Sequence, residues 1–275
     1  MKPGIYHDIS NEAYHSGPGV SKSQLDDIAL DPSVYMWRKY APVDEEKTRA
    51  QDMGSALHCM LLEPEEFERR FITAPVFNRR TNQGKADEQA FLDEVSGSGK
   101  TVMDAEQGRK LKLMRDSVLA HHASRYLLES EGHCESSIYW TDEETDELCR
   151  IRPDKFLTRA ATIVDVKKVC DMHRFDRHIE EFRYHVQNAM YQEGFYQHFG
   201  ERPLFVFIAV SESIDCGRYP VRIFRLNPYD VEVGHSIFRQ NLMTFHKCRL
   251  NEDWGGIEEI NRPEWARRKD PQYDY

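Results

Sequence analysis

The period of the hydrophobic pattern changes along the chain, and the change divides it. Up to about residue 130 the apolar positions recur at helical spacing. Residues 1–45 read as a helical cap with turns. Within them, HSGPGVSKSQLDDIA has a Gly/Pro turn, then Ser21 or Ser23 as N-cap, with Asp26 and Asp27 in the first turns, where a helix favours acids. Residues 50–70 predict a helix with Met53, Leu57, Met60 and Leu61 on one side, ended by Pro64. Residues 75–101 are polar and contain glycine, which predicts a mobile loop with a short helix. Residues 105–130 read as helical again.

Beyond that point β-rich segments alternate with polar turns. SSIYW (136–140), LCRIRPDKF (148–156) and ATIVDVKKV (161–169) read as strands separated by TDEETDE and LTRA. A long helix is expected at about 174–199, with Ile179, Phe182, Val186 and Met190 spaced for a buried face. The strands LFVFIAV (204–210) and VRIFRLN (221–227) follow, then a helix from about 228 to 246. This order predicts an α/β fold with a mixed central β-sheet flanked by helices. There is no internal repeat and no clean linker, so one domain is expected over 1–275. Its parts are a helical cap (about 1–130), a sheet-bearing core (about 131–227) and a C-terminal helix and tail (about 228–275).

Composition narrows the class. A chain of 275 residues is long enough to bury a full core without staples. The longest apolar run, Leu204 to Val210, is strand-length, and no membrane span is expected. The N-terminal stretch MKPGIYHDISNEAYH lacks the apolar core of a signal peptide. The six cysteines show no CxxC pair, which predicts reduced, mostly buried thiols in a cytosolic protein and argues against an iron–sulfur cluster. Taken as a total, the net charge of −10 argues against a nucleic-acid partner. The charge is uneven, however: acids dominate 1–68 and 129–148, whereas 69–115 and 149–188 run basic. The total excludes a non-specific electrostatic binder and leaves room for a local basic track.

The chemistry concentrates in RPDKFLTRAATIVDVKK. Asp154 ends one expected strand. Asp165 and Lys167 lie two apart in the next, so their side chains share a face. An antiparallel pairing would set Asp154 against Asp165. Two carboxylates with an ammonium beside them suit a hard cation and a phosphodiester. Gln187 and Tyr191, four apart on the following helix, share a face as well. Glu135 is a weaker candidate, because it lies in the acidic run 129–148, which reads as a solvated turn. Arg79, Arg80 and Lys85 flank a glycine in the basic stretch and suit a phosphate-contacting loop.

Together these motifs resemble the PD-(D/E)XK nuclease superfamily, in the branch of RecB-type domains and lambda-type exonucleases. The likeness is closer to the RecE-type exonucleases. It rests on GIYHDISNEAYHSGPGVSKSQLDDIA, MGSALHCMLLEPEEF, CESSIYWTDEETDELCRIRPDKF, IVDVKKVCDMHRF and FRYHVQNAMYQEGF, in that order. The resemblance implies a restriction-endonuclease-like core. It implies that His58, Asp154, Asp165 and the Val166 carbonyl ligate metal, that Lys167 is the catalytic lysine, and that Gln187 and Tyr191 line the site. By the same resemblance the cofactor is Mg²⁺, bound as a pair of ions and replaceable by Mn²⁺. The activity implied is 5′→3′ hydrolysis of linear double-stranded DNA, leaving 3′ single-stranded tails for a RecT-like annealing protein in phage or prophage recombination. A ring-shaped homo-oligomer in a bacterial cytosol is implied too. Lys168 departs from the pattern, which usually has a small hydroxyl residue there. The alternatives are an endonuclease on the same core and a non-catalytic DNA-end-binding scaffold.

Overall fold

The computed structural model describes residues 1–43, 53–257 and 259–270. Its elements begin with β1 (Gly4–Tyr6), α1 (Asn11–Ser16), α2 (Lys22–Leu30), α3 (Pro32–Tyr40), α4 (Met53–Leu62) and α5 (Pro64–Arg70). Next come β2 (Phe71–Thr73), α6 (Asn82–Ser96), β3 (Thr101–Met103), α7 (Ala105–Ala120) and α8 (His122–Glu129). The strands β4 (Gly132–Cys134), β5 (Ser137–Thr141), β6 (Leu148–Ile151), β7 (Lys155–Leu157) and β8 (Thr162–Val169) follow. A 3₁₀ turn (Met172–Arg174) leads into α9 (Phe175–Glu181) and α10 (Tyr184–Phe199). The chain closes with β9 (Leu204–Ser211), β10 (Val221–Phe224), α11 (Pro228–Asn251) and α12 (Glu264–Arg267).

A five-stranded mixed sheet, in the order β10-β9-β8-β7-β4, forms the centre. Only the β8–β9 pair is parallel. Both faces of β9 are buried, which is why LFVFIAV is a continuous apolar run. Phe205, Phe207 and Ala209 face a core shared with α2, α3, α10 and α11. Val206, Ile208 and Val210 face a second core with Ala56 and Leu57 of α4 and Leu111, Met114 and Val118 of α7. The mixed sheet flanked by helices expected from the sequence is therefore present. A smaller antiparallel sheet, β1-β5-β6, adjoins it, and β2 pairs with β3 in parallel.

Several boundaries differ from the expectation, each for a local reason. The helix expected within 50–70 does end before Pro64, at Leu62, but a second helix follows: Glu63 leaves helical geometry and Pro64 starts α5, where its missing N–H costs nothing. Residues 50–52 of that prediction lie outside the described residues. The loop expected at 75–101 contains α6, fifteen residues capped by the Thr81 side chain. Its turn closes tightly, since a Cβ on Gly84 would lie 2.1 Å from the Asn78 carbonyl oxygen. The helical stretch 105–130 breaks at His121, whose ring accepts from the Ser124 N–H to cap α8.

The strand expected at 148–156 divides at Arg152–Asp154, with β6 in the small sheet and β7 in the large one. The helix expected at 174–199 breaks at Phe182–Arg183, where Arg183 is left-handed (φ 53°). That residue shifts the phase between α9 and α10, so Phe182 is 48% exposed and not on the buried face. The cap includes β1, too short to show a period, paired with β5. The helix expected at 228–246 runs on to Asn251. Cys170 and Cys216 are exposed, so the free thiols are less uniformly buried than expected.

Candidate active site

The site forms where β7 and β8 are joined to α4 and α10. Lys155 pairs with Val164 in the antiparallel β7–β8 ladder, and continuing that register sets Asp154 opposite Asp165. Asp154 lies just before β7, in the Pro153 break, so its carboxylate is free to turn inward. Its Oδ2 accepts the Val166 backbone N–H at 2.6 Å, which holds the carboxylate against β8. On β8, Val164 and Val166 point into the α4–α7 core, while Ile163 and Val169 point into the α10–α11 core. Asp165 and Lys167 alternate with the first pair and therefore face α10.

Asp165 is 1% exposed. Its Oδ1 accepts from Nε2 of Gln187 at 2.6 Å, and its Oδ2 lies 2.8 Å from Nζ of Lys167. Burial raises the Asp165 pKa above the ordinary aspartate range; Lys167 opposes this and Asp154 adds to it. Burial works against the charge on Lys167, but the two aspartates outweigh it and hold the ammonium's pKa above normal. Tyr191, one turn after Gln187, donates its hydroxyl to the Arg152 carbonyl at 3.3 Å, bracing the turn that carries Asp154. Burial raises its phenol well above the usual range, so it remains a donor.

His58 reaches the same place from the opposite layer. Its Nε2 is 2.5 Å from the Val166 carbonyl oxygen, and its Nδ1 is 3.5 Å from Asp154 Oδ2. The structure thus brings His58, Asp154, Asp165, Val166, Lys167, Gln187 and Tyr191 together from four separate segments. Arg79, Arg80 and Lys85 are not among the residues lining the cleft onto which His58, Asp154 and Tyr191 open. Arg79 is instead held in a two-pronged ion pair by Glu88. Lys168 faces away from Lys167 and pairs with Glu212 at 3.1 Å.

Glu135 is the residue that sequence reasoning undervalued. It sits between β4 and β5 in a left-handed conformation (φ 49°), and its N–H donates to the Asp154 carbonyl at 3.0 Å. Its carboxylate joins His58 and Asp154 in a group whose potential ligand atoms all lie within 4.8 Å of one another. Burial, then the charge of Asp154, pushes its pKa up to about 8, although Arg152 opposes the shift. Burial and mutual repulsion thus favour the protonated forms of Glu135 and Asp165, and a bound cation would favour their ionised forms. A donor set of carboxylates, an imidazole and a carbonyl oxygen fits a hard divalent cation. The signal for Glu135 was its place at the edge of SSIYW, next to the strand that feeds the RPD turn. The acidic composition around it hid that.

A cleft of about 680 Å³ opens onto His58, Glu135, Asp154 and Tyr191 and is also lined by His7, Asn11, His15, Ser55, Arg69 and Arg70, whereas Asp165, Lys167 and Gln187 are not among its lining residues. No helix among the described residues is long and apolar enough to cross a membrane.

Residues 21–261 match a family model described as a PDDEXK-like domain of unknown function (DUF3799). No curated protein matches the chain in sequence. Among solved structures, a presumed exonuclease from Eubacterium rectale superposes with a TM-score of 0.63 at 14% identity, over 100% of this chain and 96% of its own. Another, SSO0001, covers 70% of this chain and 87% of its own at 12% identity, with a TM-score of 0.28, too low to argue a shared fold.

Proposed function

The chain belongs to the PDDEXK-like family DUF3799 and has the fold of a PD-(D/E)XK nuclease, and from that premise we propose that it is a divalent-metal-dependent exonuclease acting on linear duplex DNA. The observation that carries this reading is the juxtaposition of Asp154, Asp165 and Lys167, with His58 and the Val166 carbonyl closing the group. Mg²⁺, or Mn²⁺ in its place, would be held by Asp154, Asp165, Glu135, His58 and the Val166 carbonyl. When bound there, a divalent cation neutralises phosphodiester charge and lowers the pKa of a coordinated water.

The protein's own residues do the rest. Lys167, kept charged by its two aspartates, stabilises negative charge that develops on the phosphoryl oxygens. Gln187 fixes the orientation of Asp165, and Tyr191 fixes the turn bearing Asp154. His58 spans the two layers and ties α4 to the ligand strand. The RecE-type resemblance supports 5′→3′ polarity, a 3′ single-stranded product passed to a RecT-like annealing protein, and a ring-shaped homo-oligomer that encloses DNA. Enclosure also suits a chain of net charge −10, since it does not require a strongly basic surface.

The deciding experiment is digestion of end-labelled linear duplex DNA with Mg²⁺, beside covalently closed circles, for wild type and Lys167→Ala. Loss of linear duplex alone, abolished by the substitution, is the expected result. Cleavage of closed circles would make the enzyme an endonuclease. No digestion of either by the wild type would leave a non-catalytic DNA-end-binding scaffold.

A further inference from the structure

The aspartates that hold Lys167 do not by themselves aim it. A lysine ammonium on four rotatable bonds, next to Asp165, keeps freedom to swing. The structure supplies a second restraint: Nζ of Lys167 lies 4.6 Å from the centroid of the Tyr184 ring. The ammonium is therefore held between an aromatic face and the Asp165 carboxylate 2.8 Å away. Building on the nuclease reading, we propose that Tyr184 is a positioning residue for Lys167, acting through its ring face and not its hydroxyl.

The ring is itself fixed from two sides. It packs against Phe207 of β9 and Phe175 of α9, with centroids 5.8 and 6.2 Å away. Its backbone starts α10 directly after the left-handed Arg183, a conformation that a non-glycine residue keeps only when its surroundings hold it there. Those surroundings come from α2. Nζ of Lys22 donates to the Phe182 carbonyl at 2.7 Å and pairs with Asp26 at 2.6 Å. Asp26 in turn meets Nε of Arg183 at 3.0 Å. The SKSQLDD segment of the cap thus reaches the lysine through the Phe182–Arg183 turn and the Tyr184 ring. This gives the helix break at that turn, which the hydrophobic pattern did not show, a role in the site. No hydrogen bond from the Tyr184 hydroxyl to a described residue accompanies the ring contact, so phenylalanine can take its place.

The test replaces Tyr184 with Phe and with pentafluorophenylalanine, which keeps the ring's shape but reverses its electrostatic face. Turnover and KM are then measured on end-labelled linear duplex DNA with saturating Mg²⁺. Tyr184→Phe is expected to keep kcat within about twofold, whereas the fluorinated ring lowers kcat roughly tenfold at unchanged KM. A residue that only filled space would give the same kcat with both rings, and that result overturns the proposal. A fall in kcat with Phe equal to that with the fluorinated ring overturns it too, since the hydroxyl would then be the active group. A wild type that cleaves no DNA at all would instead remove the nuclease reading beneath it.

Discussion

Gln187 donates from Nε2 to Oδ1 of Asp165 at 2.6 Å, and this contact ties α10 to the strand that carries the candidate ligands. Asp165 has both oxygens engaged, one by Gln187 and one by Lys167. The orientation of its carboxylate is therefore set by its neighbours. Gln187→Ala should raise the Mg²⁺ concentration for half-maximal cleavage about 10- to 100-fold, the usual cost of losing a partner that orients a ligand. The measurement is cleavage rate against Mg²⁺ concentration. An unchanged curve would mean that Gln187 only fills space.

Two carboxylates considered alone should gain stability when one is removed. With Lys167 at 2.8 Å from Asp165 the balance reverses. Asp165→Ala leaves a buried ammonium with Asp154 as its remaining carboxylate neighbour, and stranding one member of such a pair costs roughly 3–5 kcal/mol. The variant Asp165→Leu/Lys167→Met removes both charges and should recover most of that loss. Urea unfolding of the single and double variants measures the coupling, and all should lack cleavage. Costs that simply add would show that the pair is not coupled.

Lys168, which departs from the family pattern, points away from the group formed by Asp154, Asp165 and Lys167. It lies on the face of β8 opposite Lys167 and pairs with Glu212, each about a quarter exposed. A pair this accessible to water contributes about 0–1 kcal/mol. Lys168→Ser should leave the cleavage rate within about twofold and shift the unfolding midpoint only slightly. A large loss of cleavage would mean that Lys168 contacts DNA.

The parts of the fold legible in the sequence are those whose side chains obey one period over several residues. LFVFIAV and TIVDVKKV became β9 and β8 because each residue meets one of two buried layers. The pairing of Asp154 with Asp165 was legible too, since strand alternation and an antiparallel turn dictate it. The breaks were not. Arg183 and Glu135 adopt left-handed backbone with no glycine to announce it, because Asp26 holds the first and contacts with Arg152 and Asp154 hold the second. All three contacts join residues far apart in the chain, so no local pattern carries them. Glu135 was further masked by the acidic run around it, of which Glu129, Glu131, Glu143, Glu144 and Asp146 are exposed while Asp142 and Glu147 are buried in ion pairs of their own.

The same Glu135 gives the site a pH dependence with a definite sign. Burial, followed by the charge of Asp154, raises its pKa from 4.5 to about 8. The folded chain therefore holds this proton more tightly than the unfolded chain between those values. Stability contributed by the protonated form is fully present below about pH 4.5 and is lost as pH rises through about 8. Burial of Asp165 acts in the same direction. A bound cation favours the ionised carboxylates, so it must displace the proton, and its affinity must rise with pH over the same window. The metal-free protein is thus expected to lose thermal stability from about pH 5 to about pH 8, and saturating Mg²⁺ to raise the midpoint more at the higher pH. Glu135→Gln should flatten the metal-free decline and reduce the Mg²⁺ effect. Differential scanning fluorimetry with and without Mg²⁺ at both pH values reads all of these. An Mg²⁺ effect equal at the two pH values, or unaltered by Glu135→Gln, would remove Glu135 from the cation site.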